Sequence, residues 1–253
     1  MSWFPSCFNR CVALCCALFL LPLACPADEV TVGFGKDKPP FVFGEEGRGL
    51  EIDIFRKALA YRGHELEVRH FDNKVLVEAI LMDRVQAVAT ARTTDPDICQ
   101  VKRFIHFDNV AITLKSRALQ LDKVEDLAQY RVVAWEKAYL DLGERYQRLF
   151  APKERASRQG YFEHRSQEAQ VKMFWLGRAD VLVIDKVIFQ WYRQHLPPRY
   201  ESQREVEYHP IFNGPTDFPA LFRDQKLCSD FQAGLDELKQ SGTYEALYRR
   251  YLQ

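Results

Sequence analysis

Segments with the pattern of a strand alternate along this chain with segments that carry apolar residues at helical spacing. Residues 29–34 alternate apolar and polar side chains, and residues 51–62 place apolar side chains on one face of a helix that ends at Gly63. Residues 66–70 predict a second strand, and residues 85–90 form an apolar run of the length of a buried strand. This order predicts an α/β fold whose sheet is mostly parallel and covered by helices on both faces.

The same order of elements begins again in the second half of the chain. A strand, two helices and another strand are predicted at residues 131–135, 139–150, 166–176 and 181–184. Residues 80–89 and 174–183 both give a helix end, a turn with arginine and a buried strand at matching spacing. Two final helices are predicted at residues 229–240 and 243–252. The repetition indicates two lobes of similar design.

The first residues of the chain have the pattern of a secretory signal peptide. Arg10 supplies a positive charge, residues 12–23 are almost wholly apolar, and small residues follow at Ala24 and Ala27. The apolar run is shorter than the roughly 20 residues that span a bilayer. We therefore expect residues 1–27 to be removed on export, with a retained membrane anchor as the alternative.

Cysteine usage is in keeping with export. Cleavage after Ala27 leaves Cys99 and Cys228 as the two cysteines of the mature chain. In an oxidising compartment they either pair or remain two separate buried thiols, because disulfide geometry cannot be read from sequence. Cys25 follows a sequence that loosely resembles a lipoprotein signal, so lipid attachment there is a further, less favoured alternative.

Composition and motifs exclude several classes of protein. The chain has 35 Lys and Arg against 35 Asp and Glu, and the two signs are interleaved, so we expect no nucleic-acid partner. Gly33-Phe34-Gly35 follows a strand but lacks the third glycine of a dinucleotide site, and no phosphate-binding loop is present. The six histidines lack zinc-binding spacing. We expect no cofactor, no metal and no catalytic residue, and a monomeric protein.

A series of short motifs in the same order resembles the family 3 extracellular solute-binding proteins. The motifs are Val32-Gly33 with Pro39-Pro40-Phe41, Gly49-Leu50-Glu51-Ile52-Asp53, residues 76–94, Phe107-Asp108-Asn109, residues 179–185 and residues 238–244. The resemblance implies a two-lobed periplasmic-binding-protein type II fold, with a hinge of two crossing strands. It places the first lobe at residues 28–113 and 216–253 and the second at residues 114–215. The crossing strands are expected near residues 112–116 and 212–217.

The same resemblance implies a function. Members of this family capture small polar solutes, such as amino acids or related organic acids, in the cleft between the lobes and deliver them to ABC-type importers in the periplasm. One alternative is an enzyme similar to the cyclohexadienyl dehydratases, which act on prephenate or arogenate, with Glu136 or Asp185 as its acid. Another is a sensory protein that presents its ligand to a membrane signalling protein.

Several residues match positions that bind ligand in the family. Asp185 matches an acidic residue that takes the ligand's ammonium group, although it also precedes a predicted helix and suits a helix N-cap. Thr90 and Thr93 match positions that hold a ligand carboxylate, with plain turn chemistry as the alternative. The family's carboxylate-binding arginine has no clean match, and Arg92 or Arg103 is the candidate to replace it.

Other candidate contacts depart from the family pattern. Lys38 and Asn73 stand where the family usually has aromatic residues, which favours an anionic or hydrogen-bonding ligand. Asn73 is also a candidate cap for the helix that follows it. Phe41 of the Pro-Pro-Phe motif is a further candidate. Trp135 and Tyr139 replace a small-residue turn and either supply a stacking surface for the ligand or belong to the core.

Overall fold

The computed structural model describes Met1 and residues 28–44, 46–155 and 160–251, which form two five-stranded sheets with helices against them. The strands are β1 (Glu29–Gly35), β2 (Glu65–Phe71), β3 (Ala87–Val88), β4 (Cys99–Phe107), β5 (Asn109–Leu114), β6 (Val132–Trp135), β7 (Tyr161–His164), β8 (Val181–Asp185), β9 (Val206–His209) and β10 (Thr216–Phe222). The helices are α1 (Leu50–Ala60), α2 (Leu76–Leu81), α3 (Gly143–Phe150), α4 (Pro152–Arg155), α5 (Gln167–Trp175), α6 (Lys186–His195), α7 (Gln225–Gln240) and α8 (Thr243–Tyr251). The expected signal peptide lies outside the described residues, except for Met1.

Both sheets have the same arrangement of strands. The first has the order β2-β1-β3-β10-β4 and the second the order β7-β6-β8-β5-β9. In the first sheet β1 is parallel to β2 and β3, and β10 is antiparallel to both of its neighbours. In the second sheet β5 is the strand that runs against its neighbours. In each described sheet the other four strands share one direction, which confirms the predicted α/β class and the similar design of the two halves.

Helices cover the sheets where the apolar periodicity places them. Helices α1 and α7 pack against each other and against strands of the first sheet, while α5 and α6 pack on the second. The first sheet with α1, α2, α7 and α8 is called the first lobe below, and the second sheet with α3–α6 the second lobe. Among the described residues, none of these helices has both the length and the apolar character needed to cross a bilayer.

The chain first passes from one sheet to the other at Asp108. Strand β4 ends at Phe107 in the first sheet, and β5 pairs with β8 of the second sheet from Asn109 onward. We expected this passage near residues 112–116. It comes earlier because the apolar run that follows Asp108 is already buried between two strands of the second sheet.

The second passage lies at residues 210–215, between the end of β9 at His209 and the start of β10 at Thr216. It overlaps the expected crossing at residues 212–217. The first residues after the two passages are hydrogen-bonded to each other, since the side-chain amide of Asn109 donates to Thr216 Oγ1 at 3.0 Å. The lobes are therefore connected by two adjacent pieces of chain, as a hinge requires.

A disulfide joins β4 to α7 in the first lobe. It links Cys99 to Cys228, which are 129 residues apart in the chain. Of the two alternatives that the sequence left open, the structure shows the paired one. Helix α7 also approaches α1 closely, because a side chain at Gly234 would lie 2.0 Å from the carbonyl oxygen of Ala58.

Two predicted helical features differ from the structure. The helix expected at residues 139–150 is divided into a 3-10 turn (Ala138–Leu140) and α3, because Gly143 adopts a φ of 86° at their junction. Asn73 does not cap the next helix. It begins a 3-10 turn (Asn73–Val75), and α2 starts only after Val75.

Candidate ligand-binding cleft

The carboxyl ends of the parallel strands in the two lobes face each other. Strand β4 leaves the first sheet at its carboxyl end, and β5 enters the second sheet beside the carboxyl end of β8, where Asn109 is paired with Asp185. Ligands of open α/β sheets bind outside the carboxyl ends of strands. The space between these two edges is called the cleft below.

On the first-lobe wall of the cleft, Lys38 is paired with a buried glutamate. Its Nζ lies 2.6 Å from Oε1 of Glu51 and 4.6 Å from the ring centroid of Phe107. Oε2 of Glu51 accepts a hydrogen bond from Thr90 Oγ1 at 3.2 Å. The Lys38 charge is thus neutralised within the first lobe. Lys38 by itself no longer indicates an anionic ligand.

The local fold explains why Glu51 is buried there. It lies in the first turn of α1, where the helix dipole favours a negative charge, and it is fully buried. Its backbone N–H donates to the carbonyl oxygen of Phe41 at 3.0 Å. Gly49 permits this approach, since it has a φ of 139° and a side chain there would lie 2.3 Å from the same oxygen.

Asp185 occupies the corresponding edge of the second lobe and caps α6. Its Oδ1 accepts backbone hydrogen bonds from Val187 at 2.9 Å and Ile188 at 3.0 Å, and its Oδ2 accepts one from Asp108 at 2.8 Å. Only 3% of the residue is exposed. Burial raises the pKa of Asp185 to about 7, against the three backbone N–H groups, which lower it. The capping role is realised, and contact with a ligand's ammonium group stays a prediction.

Arg92 crosses the cleft. Its Nε donates to Oδ1 of Asp141 in the second lobe at 3.1 Å, and its Nη2 donates to the backbone oxygen of Asp217 in the first lobe at 2.6 Å. Trp135 Nε1 donates to Oδ2 of Asp141 at 3.4 Å. Burial raises the pKa of Asp141, although Arg92 and Trp135 lower it. Two predicted site residues, Arg92 and Trp135, are thus brought together by a carboxylate that the sequence did not single out.

Three other predicted site residues, Phe41, Thr93 and Tyr139, take no part in the two ion pairs. Phe41 is buried, and its ring centroid lies 4.7 Å from that of Phe107, the ring that Lys38 Nζ also approaches. Thr93 Oγ1 accepts a hydrogen bond from the backbone of Asp95 at 3.1 Å, which is turn chemistry. Tyr139 packs at the edge of the second lobe's core.

Asn73 and two charged candidates, Glu136 and Arg103, lie toward the surface. Asn73 is exposed, and its Oδ1 lies 2.3 Å from the position that a side chain at Gly35 would take. Glu136, one candidate acid for the enzyme alternative, pairs with Arg165 at 3.0 Å. Arg103 is exposed and pairs with Asp217 of its own lobe at 3.5 Å.

An aromatic contact between Phe43 and Trp191 also joins the two lobes. The ring of Phe43 in the first lobe lies 5.9 Å from that of Trp191 on α6 of the second. Trp191 stacks on His195 at 4.1 Å, and the guanidinium of Arg48 lies 4.1 Å from the centre of Phe43.

An open cavity of about 540 Å³ lies beside Arg92 on the first lobe, lined by Arg92, Thr93, Thr94, Gln100 and Pro219.

Comparison with known families decides what kind of protein this is. The sequence model of the bacterial extracellular solute-binding proteins, family 3, matches residues 30–253. The chain belongs to this family. No curated protein sequence matches it significantly.

Solved structures of several functions share the fold of this family member. A histidine kinase sensor domain similar to periplasmic binding proteins has 16% identity and a TM-score of 0.71, covering 89% of this chain and 96% of its own. A substrate-binding protein of an amino acid ABC transporter has 19% identity and a TM-score of 0.63, covering 88% and 98%. An ancestral amino acid-binding protein, a precursor of cyclohexadienyl dehydratase, has 18% identity and a TM-score of 0.66, covering 89% and 95%. At these identities the likeness shows the fold alone.

Two carboxylates of this solute-binding protein were missed by sequence reasoning. Glu51 stands in the glycine-initiated motif that opens α1, and a carboxylate in the first turn of a predicted helix was the available signal. Asp141 had no such signal, because its meeting with Arg92 depends on how the two lobes approach each other. Among the described residues, no three His, Cys, Asp or Glu side chains are grouped as a metal site would need.

Proposed function

We propose that this protein is exported to the periplasm and captures a small polar solute of balanced charge, in particular a zwitterionic amino acid, in the cleft between its lobes. The observation that carries the proposal is that both basic side chains described at the cleft are already paired with a carboxylate. Lys38 pairs with Glu51, and Arg92 pairs with Asp141.

A cleft whose basic side chains are already paired with carboxylates favours a ligand that carries both a positive and a negative charge. Closure around a solute with a net charge would bury that charge without a partner, which is costly in a low-dielectric site. A zwitterion brings one charge of each sign, so it exchanges one set of opposite pairs for another. The candidate contacts remain Lys38, Phe41, Asn73, Thr90, Arg92 and Thr93 on the first lobe, with Trp135, Tyr139 and Asp185 on the second.

A thermal-shift comparison of matched solutes tests the proposal. Each amino acid is compared with its analogue that lacks the amino group and with its analogue that lacks the carboxylate, using protein unfolded and refolded to remove carried-over ligand. Binding to the folded form alone stabilises by about 2.7 kcal/mol at a hundredfold excess over Kd. We expect a shift with at least one amino acid and none with its two charged analogues. Equal shifts with an analogue would contradict the balanced-charge ligand.

The partner of the loaded protein is proposed to be an ABC-type importer. Uptake of the identified solute should fall when the gene for this chain is deleted. Unchanged uptake together with a lost transcriptional response to the solute would instead assign the protein to a membrane signalling partner.

A dehydratase activity is the second candidate. The raised pKa of Asp185 is a property of catalytic acids, and it is the observation that favours this candidate. Both oxygens of Asp185 are, however, occupied by backbone N–H groups. Incubation of concentrated protein with prephenate, followed by detection of the decarboxylated product, separates the two functions, and we expect no turnover.

A further inference from the structure

Arg92 on the first lobe and Asp141 on the second form an ion pair. Among the ion pairs between described residues, it is the one that joins the two lobes, and every other pair links residues of one lobe. It lies across the cleft, between the loop that follows β3 and the segment that follows β6.

Each member of the pair is held in place by its own lobe. Arg92 also donates to the backbone oxygen of Asp217, and its guanidinium lies 4.3 Å from the ring centre of Phe218. Asp141 accepts the indole N–H of Trp135, and its side chain is only 14% exposed. An ordinary surface pair is weak because two long side chains must be ordered to form it. Here that ordering is already provided on both sides.

The aromatic contact between the lobes differs from the ion pair in its response to salt. Phe43 and Trp191 approach with ring centroids 5.9 Å apart, and this contact between two uncharged rings is not weakened by ionic screening. Arg92 is 49% exposed, so its interaction with Asp141 remains open to screening by ions. Salt therefore distinguishes the two contacts.

We propose that the Arg92–Asp141 ion pair is an electrostatic latch that holds the two lobes together before any solute binds. The inference rests on the proposed function in one respect, that the lobes part to admit a solute. The apparent affinity for a solute depends on the fraction of molecules in the binding-competent arrangement. The lobes must part before a solute can enter. The latch therefore controls the fraction of molecules in which the cleft is open.

Distances between two spin labels, measured without any solute, test the latch. Labels at Glu78→Cys on α2 and Gln190→Cys on α6 place one probe on an exposed position of each lobe, and the native cysteines of the mature chain are already joined. The exported, processed protein is used. We expect Asp141→Asn to raise the ratio of open to closed molecules about three- to tenfold, which corresponds to a pair worth up to about 1.4 kcal/mol. In the unsubstituted protein, 1 M NaCl should produce part of the same change.

Arg223→Gln is the matched control. Arg223 also donates through Nε to an aspartate, Asp83 at 3.0 Å, and through a second nitrogen to a backbone oxygen, that of Leu81 at 2.8 Å. It is 45% exposed, but all of these contacts lie within the first lobe. The control should leave the label distances unchanged.

Arg92→Gln should reproduce the effect of Asp141→Asn, and the exchanged pair Arg92→Asp with Asp141→Arg should reverse it at least in part. Superimposable distance distributions for Asp141→Asn, Arg92→Gln and the unsubstituted protein at every salt concentration would overturn the latch. An equal change in Arg223→Gln would overturn it as well. Thermal melts establish that each variant is folded. Because no solute is present, these outcomes are independent of the binding test.

Discussion

At the scale of single residues, Lys38 and Glu51 determine the charge of the first-lobe wall. Lys38 alone is a cation facing a cleft, whereas Lys38 with Nζ 2.6 Å from a fully buried carboxylate is half of a neutral pair. Thr90 extends the pair by donating its hydroxyl proton to the same carboxylate. The buried carboxylate of Glu51 thereby holds Lys38 and Thr90, two of the predicted ligand contacts, in position.

Glu51→Gln should destabilise the protein. The change leaves the ammonium group of Lys38 largely buried without its counter-charge, and loss of one partner of a buried pair costs about 3–5 kcal/mol. Because Lys38 keeps part of its side chain exposed, at 16%, we expect a loss toward the low end of that range, about 3 kcal/mol. Urea unfolding measures the change.

Replacement of both partners provides the control for this prediction. In Lys38→Met with Glu51→Leu no charge is left unpaired, so the double variant should be more stable than Glu51→Gln. A Glu51→Gln protein that unfolds at the same urea concentration as the unsubstituted one would show that the pair contributes nothing.

At the scale of secondary-structure elements, the sequence predicted what depends on local periodicity. The strands at residues 29–34 and 66–70 are present as β1 and β2, because alternation and apolar spacing are local properties. The passage between the sheets was misplaced, because it depends on which distant strand pairs with residue 109. The capping role of Asp185 was visible as an alternative, whereas the interruption at Gly143 followed from a backbone conformation that no apolar pattern records.

Asp185 connects two elements, since it caps α6 and accepts the backbone N–H of Asp108 at the passage between the sheets. Its pKa in the folded protein is about 7, above the ordinary value of 3.8. Between these two values the folded state holds a proton that the unfolded state releases. The free energy of unfolding should therefore fall as pH rises from about 4 to about 7, by on the order of 1 kcal/mol per pH unit, and level off above that window.

Asp185→Asn separates this titration from all others. The variant should lack the slope that Asp185 contributes, so the difference in unfolding free energy between the two proteins should change across the window. At the acidic end of the window the variant should be less stable by about 1–3 kcal/mol, because its amide nitrogen would face the N–H of Asp108, and this deficit should shrink as the pH rises toward 7. Urea unfolding between pH 4.5 and 8 measures both effects, and parallel pH profiles would refute the titration of Asp185.

At the scale of the whole molecule, one covalent bond spans the insertion of the second lobe into the first. Cys99 lies on β4, before the chain passes into the second sheet, and Cys228 lies on α7, after it has returned. All five strands of the second sheet therefore belong to the loop that the disulfide closes. The sequence identifies the two cysteines of the expected mature chain but does not predict whether they pair. Their pairing depends on the proximity of β4 and α7, which is a property of the folded first lobe.

Reduction of this disulfide should destabilise the protein by about 2–5 kcal/mol, toward the upper end, because the constraint on the unfolded chain grows with the length of the closed loop. The separation of 129 residues makes that loop a long one. Urea unfolding with and without a phosphine reductant measures the loss. The double variant Cys99→Ala with Cys228→Ala is the control, since it should be insensitive to the reductant. An unchanged midpoint for a protein whose thiols titrate as fully reduced would show that packing between β4 and α7 alone holds the two ends of the loop together.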